Sequence, residues 1–127
     1  MTTTITTTRN IAPDIFRQRL LIEGYFTRQV DEGIIRDYLL DVARHLNLRT
    51  YGEPVIFAPG AGAGKAENAG YDAFVPLIDS GISAYFWTGP GFLSLLLYTC
   101  KGFDQEAAVA WTRELLEARG ELVAHAF

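Results

Sequence analysis

Cysteine, histidine and long apolar runs are all scarce in this chain, and each scarcity removes a class of function. A single cysteine makes no internal disulfide, the usage expected of a reducing, cytoplasmic setting. The two histidines, His45 and His125, have no second close ligand in register, so no metal site is expected and both read as surface or core-edge residues. No apolar stretch approaches the roughly 18 residues of a membrane span. One short run, Leu95-Leu96-Leu97-Tyr98, reads as a buried strand. Met1 to Thr8 is mostly threonine, without the basic start and apolar stretch of a signal peptide, and residues 1–10 are expected to form a flexible arm. The net charge of −4 argues against nucleic acid, because phosphate binding needs clustered lysine and arginine.

Three catalytic signatures are missing as well. Counting back from Gly64-Lys65, a phosphate-binding P-loop would need glycine where Pro59 stands and a hydroxyl where Ala66 stands. Gly60, Gly62 and Gly64 alternate, which is not the dinucleotide spacing. There is no Gly-x-Ser-x-Gly elbow, and neither histidine has a clear link to Ser80.

What is present is one domain of 127 residues, long enough for a single core. Arg19–Thr27 mixes apolar, aromatic and β-branched residues and predicts a strand. From Val30 to Leu48, Ile34, Ile35, Tyr38, Leu39, Val42 and Leu46 recur at three- and four-residue spacing, predicting an amphipathic helix on a sheet. Thr50–Ala58 predicts a strand weakened by Gly52 and Pro54, and Pro59–Gly70 a flexible loop whose role is left open. Tyr71–Ile78, Gly81–Trp87 and Phe92–Cys100 are joined too tightly for parallel crossovers and predict an antiparallel meander. Asp104–Arg119 predicts a second helix, started by Asp104 and closed by Gly120, with Ala107, Ala108, Trp111, Leu115 and Leu116 as its buried stripe. Glu121–Phe127 predicts a last strand. The order β-α-β-β-β-β-α-β, with helices segregated from a mostly antiparallel sheet, is an α+β two-layer sandwich.

Within the meander, Ser80 follows an acidic residue at a strand-to-strand turn, and the lone cysteine, Cys100, ends the next strand. Taken alone, Cys100 reads as a small buried hydrophobe and Ser80 as a turn residue. Together they resemble the core of the bacterial S-adenosylmethionine decarboxylases. That family carries Glu-Ser-His-x-Ser-Ile-His-Thr-Trp-Pro-Glu, then Gly-Tyr, then Phe-Thr-Cys-Gly. Here the chain reads Asp79-Ser80-Gly81-Ile82-Ser83-Ala84-Tyr85-Phe86-Trp87-Thr88-Gly89, then Gly91-Phe92, then Tyr98-Thr99-Cys100, without a gap. The resemblance covers most of the chain, including the order of its elements.

The resemblance implies a pyruvoyl-dependent decarboxylase of polyamine-type metabolism, acting on S-adenosylmethionine or a related cationic amino acid. Asp79 and Ser80 would be the processing residues: the Ser80 hydroxyl attacks the Asp79 carbonyl, the chain is cut, and a pyruvoyl group derived from Ser80 remains. That ketone serves as an electron sink for an amine substrate, and Cys100 matches the residue that returns a proton to the substrate carbon. The family also implies a homodimer. Glu23 falls near an acidic family position and is a candidate for a cationic ligand; Phe57 and Trp87 are candidate aromatic walls, with core roles equally open. The family's histidine after the serine is Gly81 here, its histidine five residues after the serine is Tyr85, and its ribose-binding glutamate is Gly89. Tyr85 is the candidate replacement for the missing imidazole. The same departures carry the alternatives: an uncleaved chain that binds an S-adenosylmethionine-like ligand, alone or in a heterodimer with a catalytic relative, or a lyase or cyclase that works without a pyruvoyl group.

Overall fold

A computed structural model describes residues 9–58 and 64–127. Six strands and two helices follow one another as β1 (Gln18–Phe26), α1 (Glu32–His45), β2 (Val55–Phe57), β3 (Gly70–Leu77), β4 (Ser80–Trp87), β5 (Phe92–Thr99), α2 (Gln105–Leu116) and β6 (Ala118–Ala126), with a short 3-10 turn at Ala66–Asn68. The strands form one sheet in the order β2-β3-β4-β5-β1-β6, and every neighbouring pair is antiparallel. This is the α+β arrangement read from the sequence.

Alternation along the strands decides the two faces. Leu20, Ile22 and Phe26 of β1, Ala73, Val75 and Leu77 of β3, Ile82, Ala84 and Phe86 of β4, and Leu93, Leu95 and Leu97 of β5 are buried. α1 covers this face beside β2 and β3, and α2 covers it beside β1 and β6. The helices bring Ile35, Tyr38, Leu39, Val42 and Ala43, and Ala108, Thr112 and Leu116. Thr112 was not on the predicted stripe. It is buried because its hydroxyl meets the Tyr38 phenol at 2.8 Å, which satisfies both groups inside the core. Burial pushes the Tyr38 phenol well above the usual tyrosine range, against a smaller lowering by that hydrogen bond. Trp111, expected to be buried, is only partly so and stacks on His45 across the two helices at 3.6 Å.

Both helices start on aspartate caps: the Asp31 carboxylate accepts from the Ile34 amide at 2.8 Å, and Asp104 from the Ala107 amide at 3.1 Å. Three boundaries differ from the sequence expectation, those of β2, α2 and β6, the last starting at Ala118 rather than Glu121. β2 shrinks to Val55–Phe57, and Thr50 makes only an isolated bridge to Leu77, because Gly52 and Pro54 interrupt the ladder. The predicted loop is described only outside residues 59–63, which, like residues 1–8 of the expected arm, lie outside the described residues. α2 stops at Leu116 rather than Arg119. Glu117 adopts the left-handed conformation, the Thr27 amide and hydroxyl both donate to its carbonyl, and Arg28 donates to Leu115 and Leu116, so β1's exit caps the helix before Gly120 is reached. Among the described residues, no helix is long and apolar enough to cross a membrane.

Candidate active site at the end of the sheet

The β3–β4 connection is a two-residue hairpin, Ile78-Asp79, closed by the pair Leu77 and Ser80. β4 and β5 are in register with Ser80 opposite Thr99, so the residue after Thr99 arrives beside the hairpin. That residue is Cys100. Its amide donates to the Asp79 carbonyl at 2.8 Å, and the Ser80 hydroxyl lies 3.7 Å from its sulfur. The thiol is exposed, not buried as a lone cysteine would be expected to be. The following segment is pinned: the Lys101 amide donates to the Thr99 hydroxyl at 2.9 Å, and Gln18 exchanges two hydrogen bonds with the backbone of Phe103.

The junction itself is strained. Asp79 has φ 81° and Ser80 φ 147°, two successive non-glycine residues in a region that favours glycine. A typical cost is about 1–3 kcal/mol each. The Asp79 carbonyl carbon is therefore next in chain to a hydroxyl nucleophile, its oxygen is held by a backbone N–H, and its peptide bond connects two strained residues. A backbone donor aimed at a carbonyl oxygen is the element that stabilises charge when such a carbonyl is attacked.

The remaining candidates lie elsewhere. Paired positions across the sheet place Phe57, Asp72, Tyr85, Ser94, Glu23 and Val123 in one transverse row. Among the described residues, no helix covers the sheet face that carries this row. Ser94 donates to the Glu23 carboxylate at 2.8 Å. Trp87 stands one step farther along the same face, packed on Phe92, which packs on Tyr25. Glu23, Phe57, Trp87 and Tyr85 thus share one surface, but not with Ser80. Tyr85 is five residues along β4, about 16 Å at the usual strand rise, so within one chain its phenol does not reach the Ser80 junction.

Neither histidine reaches it: His45 is stacked on Trp111, and His125 is on β6 against Phe127. The Phe74 ring fills the space beside Gly81, where a Cβ would come within 2.5 Å of it. Gly89 is in the β4–β5 turn, at the opposite end of the sheet, lining a cleft of about 610 Å³ with Thr27, Arg28 and Tyr71. Sequence reasoning did not find the Cys100 amide, the Gln18 clamp or Phe74, since each is a contact between distant segments. The tight hairpin spacing signalled only that Cys100 arrives near Ser80.

The six-stranded antiparallel sheet with two helices on one face is an α+β fold of the adenosylmethionine decarboxylase-like kind. Among solved structures, the adenosylmethionine decarboxylase from Aquifex aeolicus VF5 superposes with a TM-score of 0.68 at 18% identity, covering 89% of this chain and 89% of that one. No protein-family model and no curated protein matches the sequence.

Proposed function

We propose that this chain is a pyruvoyl-dependent decarboxylase-like lyase acting on S-adenosylmethionine or a related cationic amino acid. The observation that carries this is the junction: the Ser80 hydroxyl, the Cys100 thiol and the Asp79 carbonyl held by the Cys100 amide meet at one strained hairpin. The same arrangement is the test of fit for a pyruvoyl group, and the nucleophile, the polarised carbonyl and the thiol are all there. The Ser80 oxygen adds to the Asp79 carbonyl, the peptide C–N bond gives way to an ester, and the Ser80 nitrogen becomes an amine. Loss of the new main-chain carboxylate of Asp79 from the Ser80 Cβ, with the Ser80 Cα proton passing to water, followed by uptake of water and release of ammonia, leaves the chain cut with a ketone at the new N-terminus. A pyruvoyl group supplies an electrophilic carbonyl that withdraws electrons from an amine substrate while CO₂ leaves. Cys100 holds the proton that is delivered to the substrate carbon.

Glu23 offers a carboxylate to a cationic ligand on the open face, with Trp87 as an aromatic wall two strands away; Phe57, four strand spacings or about 19 Å from Glu23, belongs to a different part of that face. The working unit is a homodimer, supported by the uncovered sheet face, where Phe57 is 63% exposed, Val123 60% and Tyr25 44%. The compartment proposed is the cytoplasm, which suits an exposed free thiol.

A second reading is favoured by one observation: no imidazole stands at the junction, and Phe74 occupies the space beside Gly81. On that reading the chain stays uncut and binds an S-adenosylmethionine-like ligand, paired with a catalytic relative or working without a pyruvoyl group.

The intact mass of the purified protein under denaturing conditions separates the two. Two fragments divided between Asp79 and Ser80, the C-terminal one lighter by one ammonia than a serine-started fragment, are the expected result. A single chain of full mass overturns the pyruvoyl reading and leaves the second.

A further inference from the structure

A second cleft, of about 730 Å³, opens between the last turns of α1, the segment leading to β2, and Lys101. Its floor is apolar, from the buried Leu48 and half-buried Leu40. Its rim is cationic: Arg44, Arg49 and Lys101 line it in a chain whose net charge is −4. Asp41 is the carboxylate on the rim, and it is committed to Arg44 at 3.2 Å. Arg44 has a structural role beside the carbonyl end of α1, where the helix dipole favours a cation.

Arg49 and Lys101 are different. Among the described residues, neither has a carboxylate within ion-pair distance. One Lys101 proton is used on the Asn47 carbonyl at 2.9 Å, which fixes the ammonium at the cleft and leaves two donors. The Arg49 backbone is fixed as well, since its carbonyl accepts from Ile78 and its neighbour Thr50 bridges to Leu77. A fixed ammonium and a second cation whose backbone is anchored, beside an apolar floor, suit a ligand with an anionic head and an apolar body, and the arginine fork can match a carboxylate or phosphate in two bonds.

We propose that this cleft binds a small molecule carrying a phosphate or carboxylate group, gripped by Arg49 and Lys101. The site is separate from Glu23 and the open sheet face, and it does not depend on whether the chain is cut. It adjoins the candidate active site at two points. Lys101 follows Cys100, and Arg49–Thr50 is stitched to the end of β3 from which Asp79 and Ser80 continue. A bound anion would therefore stiffen the segments that hold the junction.

The test is an amide NMR titration of the full chain at constant ionic strength, with inorganic phosphate in one arm, citrate in another and chloride as control. Saturable shifts confined to the amides of Leu48, Arg49, Thr50 and Lys101 are expected, and the tighter arm tells phosphate from carboxylate. In the double variant Arg49→Gln with Lys101→Gln, affinity should fall at least roughly tenfold, the loss expected for a charge-assisted hydrogen bond. Arg119→Gln, on β6, should leave it unchanged. Shifts that are diffuse or do not saturate overturn the proposal, as does equal affinity in the double variant. If that variant does not fold, the localisation and saturation seen with the unaltered protein decide alone.

Discussion

Strain at the Asp79-Ser80 junction can be measured without any chemistry taking place. Ser80→Ala and Ser80→Gly both lack the hydroxyl, so neither forms the ester and both chains stay whole. At an ordinary strand position, glycine is less stable than alanine by roughly 0.5–1 kcal/mol, because it loses more backbone freedom on folding. At φ 147° alanine keeps a conformational penalty that glycine escapes. Such penalties run about 1–3 kcal/mol. With mid-range values the balance reverses, and Ser80→Gly should be the more stable variant by about 1 kcal/mol. For a domain of this length that corresponds to a difference in Tm of roughly 3–5 °C. Urea unfolding followed by circular dichroism, at one protein concentration, compares the two. If Ser80→Ala proves equal or more stable, the junction is not strained and backbone strain has no part in self-cleavage.

Gly70→Ala should cost about 3 kcal/mol or more, because a Cβ there overlaps the Phe86 carbonyl oxygen on the paired strand and forces β3 and β4 apart; a thermal midpoint close to that of the unaltered chain would refute this close approach. Tyr38→Phe strands the buried Thr112 hydroxyl and should cost about 1–3 kcal/mol, and adding Thr112→Val should recover part of it. The raised Tyr38 pKa adds a pH dependence. Above about pH 10 the unfolded chain gives up this proton before the folded one does, so stability falls as pH rises, and Tyr38→Phe should flatten that alkaline loss in denaturation curves. Cys100→Ala should leave the chain cut but lower CO₂ release on the order of a hundredfold or more, in line with the loss of a positioned proton donor; an unchanged rate would remove Cys100 from the mechanism. Val123→Glu with Phe57→Glu should yield a folded monomer in sedimentation, whereas a persistent dimer would place the interface away from the open face.

Much of the architecture is written in local patterns. The period-two alternation of β3, β4 and β5, the helical spacing from Ile35 to Val42, the aspartate caps and the short connections all act between residues close in the chain, so they can be read before any fold is known. The errors fall where a distant segment intervenes. α2 ends early because β1's Thr27 and Arg28 reach its carbonyls. Thr112 is buried because α1 offers it a phenol.

The candidate site divides along the same line. The sequence by itself determined that a serine follows an acidic residue at a turn and that the only cysteine ends the next strand, since hairpin lengths set register. Tertiary structure alone decided that the Cys100 amide holds the Asp79 carbonyl, that both junction residues are strained, and that Tyr85 shares a face with Glu23 and Phe57 while standing about 16 Å along β4 from Ser80. Spacing along the chain limits which residues can become neighbours. The pairing of strands, and the side of the sheet that each residue faces, settles which of them do.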